Sequence, residues 1–86
     1  MNRKQRATYE AIFAEPVRAN IVWKDLVSLI KGLGGEVVYN DGSKVFFCLN
    51  ELVFHLHSPH PQKEIKKYLV KELRDFLRDA IQKEEI

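Results

Sequence analysis

Three histidines, His55, His57 and His60, lie within six residues of one another in this chain. An imidazole can accept or release a proton near neutral pH, so all three are candidates for general acid–base catalysis. Their spacing, with no cysteine or aspartate beside them, is a weak pattern for zinc. The alternative is that they are exposed histidines at the end of a strand, with no chemical role. The pattern predicts no metal site.

Basic residues recur towards the C-terminus at helical spacing. At about 100° per residue, a helix there separates a basic sector from an acidic one. The basic sector contains Lys63, Lys67, Lys71, Arg74 and Arg78. An exposed basic stripe can bind the phosphates of a nucleic acid, and we expect Lys71 and Arg74 to be exposed. The alternative is a helix face that is only solvated. Because the basic and acidic residues occupy separate sectors, the sequence leaves both interpretations open.

The histidines and the basic residues lie in segments with strand and helical patterns, and turn residues separate these segments. Gly34 follows the second helical segment, and Asn40-Asp41-Gly42 and Asn50-Glu51 are typical of turns. Pro16 ends the first helical segment. Helices are predicted over 3–14, 23–33 and from between 62 and 67 onwards, and strands over 36–39, 44–49 and 52–57. This order predicts an α+β fold with a three-stranded antiparallel sheet and the helices on one face.

Alternation along the second and third strands assigns their two faces. The inward side chains are predicted to be Val45, Phe47, Leu49, Phe54 and Leu56. The outward side chains are then Lys44, Phe46, Cys48, His55 and His57. If the register holds, Lys44, His55 and His57 lie together on an open face. We interpret Phe46 and Cys48 as packing residues.

Composition limits the possible classes of protein. A chain of 86 residues supports one core, so we expect a single domain. The net charge of +2 points to no partner by itself, and the single cysteine, Cys48, excludes an internal disulfide. No apolar run approaches a membrane span and no signal peptide is visible, so we expect a cytoplasmic protein. No cofactor-binding motif is present. Composition and spacing alone leave the function open.

Three short stretches carry a resemblance to a known family. They are a helix running from Lys24-Asp25-Leu26 to Leu33-Gly34, the pair Gly42-Ser43, and the run from His60-Pro61 to Lys66-Lys67. In these three stretches the sequence resembles the HicA family of bacterial toxins, and the resemblance extends over about residues 23–81. The resemblance implies that residues 23–81 form the family core and that residues 1–22 are an N-terminal helical extension. The implied fold is similar to a double-stranded-RNA-binding domain, with one extra helix.

The resemblance also implies an activity and a partner. HicA toxins cleave mRNA and are held inactive by a HicB antitoxin, so RNA and a HicB-like protein are the expected partners. Because the sequence has no metal pattern, we expect the cleavage to need no metal ion. Ser43 and the basic stripe would then contact RNA. The family's catalytic histidine directly follows Gly-Ser, but here that position is Lys44. Lysine can hold a phosphate, but it is a poor base while it stays protonated.

Cleavage therefore needs another proton-transfer group. With Lys44 as a phosphate clamp, His55, His57 or His60 would move the proton, and His60 alone among them matches the family pattern. Two other interpretations stay open. The chain is an inactive module that binds RNA or only the antitoxin, or it is an unrelated interaction domain.

Overall fold

The structure is a computed structural model that describes residues 1–59 and 63–85, with side chains described as far as residue 82. Two helices, three strands and a third helix follow one another along the chain, in the order that the sequence predicts. They are α1 (Arg3–Ile12), α2 (Trp23–Gly32), β1 (Glu36–Tyr39), β2 (Lys44–Leu49), β3 (Leu52–His57) and α3 (Lys67–Glu85). The predicted α+β fold is confirmed. None of these helices is long and apolar enough to cross a membrane.

The sheet is antiparallel throughout, in the order β1-β2-β3. All three strands have the predicted bounds. The β2–β3 hairpin turns at Asn50 and Glu51, whose φ angles of 49° and 71° are those of a two-residue turn that matches the twist of the strands. The β1–β2 connection is a four-residue loop over 40–43 rather than a tight turn, and Gly42 in it has a φ of 63°.

Helix ends follow local hydrogen bonding. Asn2 and Gln5 form a capping box that starts α1. This helix ends at Ile12, two residues before the predicted end, and Phe13 is its C-cap. Gly34 follows α2 with a φ of 90°, as expected for a glycine just past a helix end.

The core lies between the inner face of the sheet and the helices. Val45, Phe47 and Leu56 point inward from the strands and are buried. Leu73 and Phe76 of α3 are buried against this face, as predicted. Residues before the second helix also contribute, because Ile12 and Ile21 belong to the same cluster. The opposite face of the sheet, which we call the open face, is left uncovered by the described helices.

Replacing Phe76 with alanine should lower the free energy of unfolding by about 3–5 kcal/mol. The Phe76 side chain is 7% exposed, and its ring lies 5.3 Å from that of Phe54. Denaturant unfolding measures the effect. Tyr68→Ala is the matched control, because Tyr68 lies on the same helix and is 60% exposed, so about 0.5 kcal/mol is expected there. A loss below about 1 kcal/mol for Phe76 would contradict its place in the core.

Candidate functional site

Lys44 and His57 face each other across β2 and β3 on the open face. They are paired in the antiparallel register, so their Cβ atoms are about 4.5–5.5 Å apart. Both side chains are exposed. The predicted gathering of Lys44, His55 and His57 on one face is therefore confirmed. An ammonium group and an imidazole beside each other can hold an anion and move a proton in the same place.

The imidazole of His57 is held from one side by Ser43. The Ser43 Oγ lies 3.1 Å from His57 Nδ1, and either atom can donate in this hydrogen bond, depending on the tautomer. When Nδ1 carries the proton and donates to Ser43 Oγ, the Nε2 atom keeps the lone pair that a general base needs. Ser43 is held in turn, because its carbonyl accepts the Ser58 N–H at 2.8 Å.

Phe46 and His55 form the next outward pair along the same two strands. Their ring centroids are 4.7 Å apart and the rings are tilted by 55°. The sequence interpretation of Phe46 as a packing residue is incomplete, because its ring is only partly buried and borders the site. The signal that could have found this role is the strand alternation itself, which placed Phe46 on the same face as the histidines.

The two pairs line one depression of about 310 Å³. Its walls are formed by Asn40, Lys44, Phe46, His55, Leu56 and His57. No carboxylate is among these residues, so the depression favours an anionic ligand. Asn40 was not singled out by the sequence. Its Oδ1 accepts the Asp41 N–H at 2.8 Å, which orients its amide group beside the site.

His60 lies outside the described residues, so its predicted role stays a prediction. Within residues 1–59 and 63–82, no group of three histidine, cysteine or acidic side chains is arranged to hold a metal ion. Cys48 is a free, partly buried thiol on the open face.

The predicted exposure of Arg74 is wrong. Arg74 is 9% exposed and lies against the end of α1. Its guanidinium donates to the carbonyls of Ile12 and Ala14, each at 2.6 Å, and to Glu15 Oε2 at 2.8 Å. The helical pattern placed it in the basic sector correctly, but that sector faces the chain segment that follows α1. Arg74 is thus a structural residue and is not available to a phosphate.

The rest of the basic stripe is separate from the site on the open face. Lys63, Lys67 and Lys71 are exposed. Arg78 lies 5.4 Å above the Phe13 ring and 3.4 Å from Asp75. Because α3 packs on the inner face of the sheet, this stripe and the Lys44–His57 pair belong to different sides of the molecule.

The comparison with protein families gives a match over most of the chain. The family model described as the HicA toxin of bacterial toxin–antitoxin systems matches residues 23–81. The chain belongs to the HicA toxin family. The resemblance in the sequence is therefore confirmed, and this HicA protein acts as the toxin of a pair that includes an antitoxin. No curated protein and no solved structure gives a match.

Membership of the HicA family makes the geometry at the Gly-Ser pair informative. Lys44 follows Gly42-Ser43, at the position where the resemblance predicts a catalytic histidine. The imidazole of His57 stands directly across the hairpin from that position. The sequence left His55, His57 and His60 as candidates, of which only His60 matches the family pattern. Of the two that the structure describes, His57 is the one paired with Lys44. The α1 helix lies outside the family match.

Proposed function

We propose that this HicA toxin is a cytoplasmic endoribonuclease that cleaves mRNA without a metal ion at the Lys44–His57 pair. The observation that carries the proposal is the direct pairing of these two residues on the open face, with Ser43 holding the imidazole. Lys44 supplies positive charge where the phosphate binds. His57 supplies the proton acceptor that Lys44, as a protonated amine, does not.

The reaction is an internal transesterification of RNA. His57 Nε2 takes the proton of a ribose 2′-hydroxyl, and the freed O2′ attacks the adjacent phosphorus. The new O2′–P bond forms as the P–O5′ bond breaks, and the departing O5′ takes a proton from water at this exposed site. The Lys44 ammonium offsets the charge that develops on the phosphate oxygens. The products are a 2′,3′-cyclic phosphate and a 5′-hydroxyl end. His57 releases its proton to the solvent, so no reactant other than water is needed.

The exposed lysines of the stripe are proposed to hold the RNA backbone. The charge reversals Lys67→Glu and Lys71→Glu should together weaken RNA binding and flatten its dependence on salt. Each lost phosphate contact reduces the slope of log affinity against log salt by roughly 0.7–0.9. Binding titrations between low and moderate salt measure the change. Lys24→Glu, an exposed lysine on α2, is the control, and an unchanged slope in the double variant would show that the stripe does not touch RNA.

The antitoxin partner is proposed to be a HicB-like protein that covers the open face. Val38 and Val53 are exposed there on either side of the Phe46–His55 pair, which gives a partner apolar area around the site. Covering this face would exclude RNA from Lys44 and His57. An acidic surface on the partner would also be attracted to the basic site.

Induced expression of the toxin, with and without the gene next to its own, which we expect to encode the antitoxin, tests the proposal. Expression alone should arrest growth, and co-expression of the neighbour should relieve the arrest. The purified toxin should cut single-stranded RNA in the presence of a chelator and leave cyclic phosphate ends. RNA left intact while binding persists would favour the second candidate, a binding module without catalysis. The lysine after Gly-Ser is the observation that keeps this second candidate open.

A further inference from the structure

The Phe46–His55 pair is unexplained by the cleavage step. Phosphate binding and proton transfer need Lys44 and His57, but neither needs two rings packed 4.7 Å apart beside them. The pair borders the same depression, and the His55 side chain is exposed. Partly exposed rings beside a positive charge are typical of surfaces that bind nucleobases, since every base has a face that can stack.

We infer that the depression binds one nucleotide of single-stranded RNA, with its base stacked on Phe46 and His55 and its phosphate between Lys44 and His57. The inference rests on the proposed function and adds the form of RNA that the site accepts. The two pairs are two residues apart along each strand, or about 6.8 Å. That separation suits a base and its own phosphate.

The size and shape of the depression favour a single unpaired nucleotide. A volume of about 310 Å³ is at the lower end of the range for small-ligand sites. Bases in an A-form duplex are stacked on each other, and their faces are not available to protein rings. Arg74 is buried, so the stripe on α3 offers a duplex one phosphate contact fewer. Single-stranded RNA therefore fits better than duplex RNA.

The test is binding of a short oligoribonucleotide whose 2′-hydroxyls are methylated, so that it cannot be cut. The change Phe46→Leu keeps an apolar side chain and removes the ring, and it should weaken binding about 5- to 150-fold, as expected for one stacked base. His55→Asn, at an exposed position, should weaken it in the same direction and guards against a folding defect in the first variant. Tyr68→Leu, an exposed aromatic on α3, should leave binding unchanged.

A second measurement reports the stacking itself. Addition of cytidine 3′-monophosphate should move the NMR signals of the His55 and His57 ring protons, with the largest upfield shifts at His55, while those of Tyr68 stay in place. A pair of rings that merely supports the sheet would give no such shift. The wild-type toxin should also bind the single strand more tightly than a duplex of the same length.

The outcomes separate this inference from the proposed function. Tight, salt-dependent RNA binding that is unaffected by Phe46→Leu and His55→Asn would overturn the inference and leave the nuclease proposal standing. Absence of RNA binding by the wild-type toxin would overturn both. If the two variants lower affinity for the antitoxin but not for RNA, the depression is a protein-docking site and the inference is wrong.

Discussion

Replacing His57 with glutamine should lower the rate of RNA cleavage by about 10²–10⁴-fold, the range for a positioned acid or base. Glutamine can still hydrogen-bond to Ser43, but it cannot take the 2′-hydroxyl proton. Because the step lost is proton transfer, kcat should fall while the affinity for uncleavable RNA stays close to that of the wild type. Rates on a short RNA, measured with the toxin in excess, give the change directly.

Lys44→Ala should reduce the rate as well, with weaker phosphate binding in addition. Lys24→Ala is the matched control, because Lys24 is an exposed lysine away from the open face. The His57 side chain is exposed, so its loss should change stability by no more than about 0.5 kcal/mol. Cleavage that survives His57→Gln but is lost in His60→Ala would assign the proton transfer to His60 and contradict the mechanism.

Replacing Arg74 with glutamate should lower the free energy of unfolding by more than about 4 kcal/mol, which is exceptional for one substitution. Three oxygen acceptors surround the guanidinium, and a carboxylate in its place would offer them no donor and would be repelled by Glu15. Arg74→Ala should cost about 3 kcal/mol, because the carbonyls lose donors that carry a charge. Thermal or denaturant unfolding measures both.

Two controls isolate the buried contacts of Arg74. Lys71→Glu reverses the same charge at an exposed position on α3, and we expect a change within about 0.5 kcal/mol. Glu15→Gln removes only the ion pair, and since the Glu15 side chain is 72% exposed the cost should be below about 1 kcal/mol. If Arg74→Glu were as stable as Lys71→Glu, the contacts with the end of α1 would not be made in solution.

The strands and the site face could be predicted because they depend on local patterns. Alternation of side chains is a property of each strand, and the turn residues fix where each strand ends. The placement of Lys44 opposite His57 followed once the register was known. The pattern in α2 was less informative. Helical spacing there predicts a buried stripe of Trp23, Leu26, Val27, Ile30 and Leu33, but Leu29 is also fully buried.

The environment of Arg74 could not be predicted, because it depends on a contact between residues 62 positions apart in the chain. Helical periodicity says which side chains share a sector but does not say what that sector faces. A basic sector that meets backbone carbonyls at a helix end has the same sequence pattern as one that meets water. Two of the three partners of Arg74 are main-chain oxygens, and these leave no trace in the residue types.

The turn between β2 and β3 consists of two residues, Asn50 and Glu51, and its length determines which side chains of β3 lie on the open face. Because side chains alternate, an inserted residue that the turn did not absorb would shift β3 by one position against β2 and exchange its two faces, sending His55 and His57 into the core and Phe54 into water. Asn50 Nδ2 also donates to Ala80 O at 2.9 Å, which fixes the turn against α3. The loop over 40–43 can change length without inverting β3. We therefore expect the protein to tolerate insertions in the 40–43 loop better than insertions in the turn at Asn50 and Glu51.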